Sequence, residues 1–237
     1  MKKYSFTWEN IEKEYLECLK NEYQIITCEE YVKQKGNLTQ KTIVNRIDID
    51  FSVKKVDILL DIFDKLNIKG TFFVRLHAPE YNPFSFEGYR VLKRLLNSGH
   101  ELGYHSEIVD QSIIWNENAE DCLIRDIEVL GKMFNYKVNS VASHGGNTGF
   151  NNLDFWKDKK PSDYNLLYEG YDKEPKYNLF QEAFYISDSE WTQWKCYNKG
   201  KLVENDRRSP SEHLEDNHQL IHLLIHPDTY FNNHFYE

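Results

Sequence analysis

The sequence predicts an α/β fold, an irregular (β/α) barrel of about seven parallel strands, on three observations. From Lys41 onward, apolar strand-like runs alternate with amphipathic helical stretches, the pattern of parallel strands joined by crossover helices. The runs, such as Leu220-Ile-His-Leu-Leu-Ile225, are apolar on nearly every residue rather than every second one, as a sheet buried on both faces requires. Polar residues suited to metal binding and acid/base chemistry recur at the carboxyl ends of several predicted strands, where parallel barrels keep their working groups. A chain of 237 residues is commonly one large domain of this kind.

The first forty residues contain a charged amphipathic helix over 8–21, a short strand at 24–27 and a second helical piece from Glu29. Residues 1–40 are therefore expected to pack as an extension over one end of a barrel formed by 41–237. The barrel opens with a strand near 42–48. A helix over 53–67 follows, with Val53, Val56, Leu59, Leu60, Phe63 and Leu66 at helical spacing and Asn67 and Gly70 to end it. Next come a strand at 70–75, a helix at 85–97, a strand at 100–105, a helix at 118–134 and a strand at 138–143. The series closes with a helix near 152–158 and strands at 164–169, 183–187 and 219–226. Between about 170 and 218 the sequence is polar and aromatic, a long excursion of loops and short strands.

Formal net charge is −9 with no lysine or arginine block, which argues against a nucleic acid or an anionic membrane as partner. Aromatic residues make up 15% of the chain, 16 of them tyrosines, a composition that suits sugar-binding clefts and a well-filled core alike. Met1-Lys-Lys-Tyr-Ser-Phe-Thr-Trp-Glu-Asn interrupts any apolar run with charge, so neither a signal peptide nor a membrane span is expected. Cys18, Cys28, Cys122 and Cys196 are dispersed without Cys-x-x-Cys spacing, as expected of free thiols in a reducing compartment. A cytoplasmic location is the expectation.

The segment Arg46-Ile-Asp48-Ile-Asp50 carries the chemistry. Residues i and i+2 of a strand project from one face, so Asp48 and Asp50 lie side by side at a strand end. Two such carboxylates repel unless a cation lies between them or one holds a proton. The other predicted strand ends supply Arg75, His105-Ser106-Glu107 with Asp110, Ser143-His144-Gly145-Gly146, Asp188 and His226-Pro227. Spacing also prunes the histidines. His100 and His105 are roughly 17 Å apart along a strand, and His222 and His226 roughly 13 Å, so neither pair can share a metal. His100 and His222 are read as structural, and His77, His213, His218 and His234 as surface residues.

The chain at this point resembles the polysaccharide deacetylase family, the NodB-homology carbohydrate esterases. The resemblance rests on Arg46 to Asp50, Gly70-Thr-Phe-Phe-Val74, Gly99-His-Glu-Leu-Gly-Tyr-His-Ser106 and Leu224-Ile-His226, whose order and spacing match over roughly residues 41–230. It implies an irregular barrel and a divalent metal held by one Asp and two His. It also implies a second Asp as general base, a late His as general acid, and hydrolysis of N- or O-acetyl groups on sugars. Carried over, Asp48 is the base, Asp50 and His105 are metal ligands, and His226 is the acid. The second histidine of the family's His-(Ser/Thr)-x-x-His motif falls at Val109, which cannot bind a cation. Its Arg-x-Pro signature is replaced by Ser143-His144-Gly145-Gly146.

Substitutes for the missing ligand are His144 from the neighbouring strand end, or Asp110 or Glu107 from a flexible loop. His144 is preferred, because its strand end points into the same mouth; hydrogen bonding to substrate is its other reading. An Asp/His/His set suits zinc and tolerates nickel, cobalt or manganese. Arg46, Arg75 and Asp188 are assigned to orienting the base or binding a sugar hydroxyl. The expected partner is an acetylated sugar, sugar nucleotide or lipid-linked glycan. Two rivals stand beside this reading. One is a catalytically silent sugar-binding relative in which Val109 marks a dead site, and the other is a nucleotide-sugar glycosyltransferase using Asp-x-Asp.

Overall fold

The computed structural model describes residues 4–234. At its centre lies β2 (Thr42–Ile49), buried along its whole length. The period of two divides its residues between two cores. Ile43, Ile47 and Ile49 join the core between sheet and helices, while Val44 joins Phe73, Ala142 and Tyr168 in the barrel interior. Arg46 and Asp48 continue the inner row, so a strand this apolar delivers charge to one place only, its carboxyl end.

Around β2 are arranged β1 (Gln24–Ile26), β3 (Thr71–Val74), β4 (Glu101–Ser106), β5 (Ser140–Ser143), β6 (Tyr168–Glu169), β7 (Phe184–Ser187), β8 (Lys195–Asn198), β9 (Lys201–Leu202) and β10 (Leu220–Ile225). Seven run parallel in the order β6-β5-β4-β3-β2-β10-β7, and β8 and β9 extend the β7 edge as an antiparallel hairpin. β1 pairs with the first three residues of β2, on the edge that β3 takes over from Arg46 onward. The N-terminal extension is thus woven into the sheet. No pairing joins β6 to β7. Side chains span that gap: Tyr171 Oη lies 3.4 Å from Tyr185 Oη, and the Arg46 guanidinium sits 4.8 Å over the Tyr171 ring.

Helices α1 (Trp8–Lys20) and α2 (Cys28–Gln34) precede β2. The crossovers are α3 (Val53–Leu66), α4 (Phe86–Asn97) and the pair α5 (Ile108–Trp115) and α6 (Ala119–Phe134). Ser52, Ser85 and Asn118 cap the starts of α3, α4 and α6, and Asn67 ends α3 in the left-handed conformation, one that asparagine adopts at low cost. The end of the barrel away from Asp48 and Asp50 is closed by Glu101. Its carboxylate accepts from Thr71 Oγ1 (2.6 Å), Ser140 Oγ (2.7 Å), Tyr168 Oη (2.6 Å) and the Glu29 amide (2.9 Å), tying three strands and α2 to β4. Gly103, between Glu101 and His105 on the inner face, is required there: a Cβ would lie 2.4 Å from the Phe73 ring.

Four expectations are corrected. The stretch bearing Glu107 and Asp110, read as a flexible loop, leads into and forms α5, because a side chain from a neighbouring loop caps its open amides. The strand expected over 164–169 is only Tyr168–Glu169, since Pro161 starts a 3-10 turn over Pro161–Tyr164; the helix expected near 152–158 is likewise a 3-10 turn, Asn152–Trp156. His213 is fully buried rather than on the surface, because the 3-10 segment Ser211–Asp216 carries it against Cys196 of β8. No helix among the described residues is long and apolar enough to cross a membrane.

Candidate active site and metal centre

The carboxyl ends of β2, β4, β5 and β10 bring five side chains to one point. Asp50 Oδ1 lies 3.3 Å from His105 Nε2 and 4.0 Å from His144 Nε2, and Asp50 Oδ2 lies 3.8 Å from His226 Nε2. Asp48 Oδ2 is 3.5 Å from His105 Nε2. Asp50, His105 and His144 each offer a ligand atom, and the three atoms lie within 4.8 Å of one another. A tetrahedral ion with bonds of about 2.1 Å separates its ligand atoms by about 3.4 Å, so the three need only small movements to share one.

The polar bookkeeping favours such an ion. Asp50 Oδ1 is buried and has no hydrogen-bond partner among the described residues, a costly state for a carboxylate oxygen. His105 places its Nδ1 2.8 Å from the Ala142 carbonyl; donation there would leave Nε2, which faces Asp50, free to bind a cation in place of its proton, the arrangement typical of ligating imidazoles. His144 is 18% exposed, the most open of the three. Its Nδ1 stands 3.6 Å from Glu107 Oε1. The residues present therefore fit a divalent cation.

Charges are set by neighbours. Burial alone would raise the Asp48 carboxyl, but the Arg46 guanidinium, bound through both nitrogens at 2.9 and 2.7 Å, and then His105, hold it below the usual carboxylate range. Asp50 is likewise held low against burial, chiefly by His105 and His226. His144 is lowered by burial and by the charge on His105, whereas His105 is raised by Asp48 and Asp50 despite its burial. His226 is pushed up to about 10: burial opposes the charge, but Asp188, 2.5 Å from Nδ1, outweighs it. An imidazolium at neutral pH with its Nε2–H toward the cluster is a proton donor.

The remaining sequence-predicted residues have other occupations. Arg46, Arg75 and Asp188 are at most 3% exposed, so direct contact with a sugar hydroxyl is corrected. Arg46 grips Asp48, Arg75 binds Glu107 Oε1 (2.7 Å) and the Asp50 carbonyl (2.9 Å), and Asp188 holds His226. Asp110 spends both oxygens on the 147–152 segment. Glu107 binds Arg75, lies 3.6 Å from His144 Nδ1 and is not among the three residues whose ligand atoms converge. Sequence reasoning missed Tyr171, on which Arg46 rests, and Gly170, where a Cβ would lie 2.7 Å from Arg46 Nη1. It also missed Trp191, held at φ +61 with its ring 5.7 Å from His226 and 5.4 Å from Phe51. Nothing in their local sequence marks them, because each acts through a contact distant along the chain.

No protein-family model matches the chain, and no curated protein sequence does. Solved structures do. A CE4 esterase from Streptococcus mutans superposes with a TM-score of 0.50 at 17% identity, over 83% of this chain and 77% of that one. The deacetylase PplD from Streptococcus pyogenes, in complex with acetate, gives 0.49 at 16% identity over 67% and 70%. A CE4 family pseudoenzyme from Bacillus anthracis gives 0.46 at 15% identity over 80% of this chain and 56% of that one. The likeness to the Streptococcus mutans esterase is one of fold: this chain has the CE4-type barrel, in keeping with the resemblance carried by its motifs.

Proposed function

We propose that this protein is a metal-dependent carbohydrate deacetylase that hydrolyses an N- or O-acetyl group on an acetylated sugar, sugar nucleotide or lipid-linked glycan precursor. The observation that carries the reading is the convergence of Asp50, His105 and His144 on one point, flanked by a carboxylate locked to arginine and an imidazolium locked to aspartate. A divalent cation held by those three, zinc first and nickel, cobalt or manganese next, would acidify water and polarise the acyl carbonyl.

The chain's own groups supply the proton traffic. Asp48 is ionised at neutral pH and takes the proton of the attacking water. Arg46 keeps that carboxylate anionic and aimed, at the cost of some basicity, since both oxygens already accept a bond. His226 gives its Nε2 proton to the departing amine or alkoxide, and Asp188 stabilises the charge it carries until then. His144 takes the place that Val109 leaves vacant in the ligand set. Four unpaired, buried cysteines support a reducing compartment, and hence an intracellular substrate.

Acetate release tests the proposal. Purified protein loaded with zinc or cobalt is expected to free acetate from one of a panel of acetylated sugars, sugar nucleotides and lipid-linked glycans, and Asp48→Asn is expected to keep the metal and lose the activity. Metal uptake without acetate from any of them would favour the silent, sugar-binding reading that Val109 raises.

A further inference from the structure

The loop that carries His144 has no core of its own. From Gly145 to Asn151 every residue except Thr148 is exposed. The loop folds tightly back on itself: a Cβ on Gly146 would lie 1.5 Å from the Phe150 carbonyl oxygen, and Gly149 has φ +89. Something must fix its course.

That anchor is a buried carboxylate on α5. Asp110, 3% exposed, accepts from the Asn147 amide with both oxygens (3.0 Å each), and its Oδ1 accepts from the Thr148 amide (2.9 Å) and Thr148 Oγ1 (2.7 Å). Its Oδ2 accepts from Asn152 Nδ2 at 2.8 Å. The bracing is reciprocal. Glu107, the residue before α5, makes no side-chain cap, and the open amides of Val109 and Asp110 donate instead to Asn152 Oδ1 at 2.9 and 3.1 Å. Asn152 Nδ2 also reaches the Gly145 carbonyl at 3.2 Å, one residue from His144. On the other side, the His144 amide donates to the Ser106 carbonyl at 2.9 Å.

We infer that Asp110 is a positioning residue for His144: with Asn152 it locks the 145–152 loop to the start of α5 and so aims the His144 imidazole at Asp50. The inference rests on the metal-centre reading above. It also gives the stretch around Val109 a role without a histidine there, because the helix turn that would bear the ligand instead holds the loop that does. A carboxylate is needed, since an asparagine at 110 would turn an amide N–H toward at least one of the donors now bound.

The test is a double-mutant cycle on cobalt affinity, read from the visible spectrum of the cobalt-loaded protein. Asp110→Asn is expected to weaken cobalt binding about 10- to 100-fold, the usual effect of losing an outer partner of a ligand. In a His144→Ala background the same change is expected to have no further effect. Thr148→Val, which removes only the hydroxyl bond, gives a milder loss of the same kind and serves if Asp110→Asn does not fold. Asp110→Asn that binds as tightly as the parent, or that loses equally in both backgrounds, overturns the inference while leaving the metal centre standing. A parent protein that takes up no cobalt overturns the metal-centre reading itself.

Discussion

Among the described residues three sets of acid, thiol and imidazole side chains have the spacing of metal ligands, one around Asp50 and two that share His213, and the two regions differ in what else their atoms do. Around His213, Cys196 Sγ lies 3.4 Å from Nε2, Asp206 Oδ1 lies 3.6 Å from the same nitrogen, and Asp216 Oδ2 lies 3.1 Å from Nδ1. Every one of those atoms has a partner, and only His218 Nε2, 3.7 Å from Asp216 Oδ2, stands at the edge of the network without a hydrogen bond. Arg208 binds Asp206 and Asp216 at 2.8 and 2.9 Å, and burial pushes the Cys196 thiol up to about 12, so it stays a neutral donor to the imidazole. Around Asp50 the balance is left open. Spacing alone marks both clusters as metal sites; hydrogen-bond satisfaction separates a closed network that stabilises the fold from a set of donors short of one cation.

The sharpest break of that contrast compares Asp50→Ala with His213→Ala. Asp50→Ala is expected to abolish metal uptake and acetate release together and to lower the melting temperature of the metal-free protein only modestly, since it removes the carboxylate that pairs with His105 and His226 but strands no neutral hydrogen-bond partner. His213→Ala is expected to keep one metal per chain and lose about 2–4 kcal/mol of stability, through a cavity and stranded partners. Metal analysis and denaturant melts read both. Two metals per chain in the parent, falling to one in His213→Ala, would reverse the assignment of the two clusters.

Next in size is the base. Asp48→Asn keeps the shape beside Arg46 but cannot take a proton, and is expected to lower the turnover number about 10²- to 10⁴-fold with metal content unchanged. A drop in metal content would move Asp48 into the ligand set.

The acid comes third. Asp188→Asn removes the carboxylate that lifts His226 to about 10, so the imidazolium should deprotonate nearer its ordinary value of about 6.5. A general acid works only when protonated, so activity on the alkaline side should fall at a lower pH in the variant, while rates in mild acid stay closer to the parent's. A pH–rate profile with an unmoved alkaline limb would show that His226 shapes the pocket without donating a proton.

The barrel and its mouth were legible because period and position are local signals. Uniformly apolar strands announced a sheet covered on both faces, and Asp48, Asp50, His105, His144 and His226 stood at strand ends that the topology brings together. What could not be read depended on partners far along the chain. Helix α5 takes its cap from Asn152, His213 is buried by a segment without periodicity, and Arg46 needs Gly170 and Tyr171 to make room for it and cover it. The Arg-x-Pro signature is absent at residue 144, and the arginine that grips Asp48 comes instead from two residues upstream on the same strand.

His222 refines the comparison, because it is unpartnered without being a site. Neither ring nitrogen has a hydrogen-bond partner among the described residues. Its nearest ring is Tyr185, 5.0 Å away, and it lies on the inner face of β10, below the ligand cluster. Burial, and then the charge of Arg46, push it down to about 3, so it is neutral in the folded chain. In the unfolded chain it takes a proton near pH 6.5. A folded-state value below the unfolded one means that the unfolded chain binds more protons in the window between them, so this contribution to stability is present above pH 6.5 and is lost as pH falls toward 3. Between pH 7 and pH 5 the loss from this one group is about 2 kcal/mol. Glu101, Glu169 and Asp228, all raised by burial, act in the opposite sense, so the pH dependence of the parent alone would not isolate it. His222→Leu does, since it is similar in size and cannot titrate. Denaturant melts are expected to place the variant level with or slightly above the parent at pH 7 and about 2 kcal/mol further ahead at pH 5, with metal content unchanged. An equal gap at both pH values would mean that His222 carries a proton in the folded barrel and has a partner there after all.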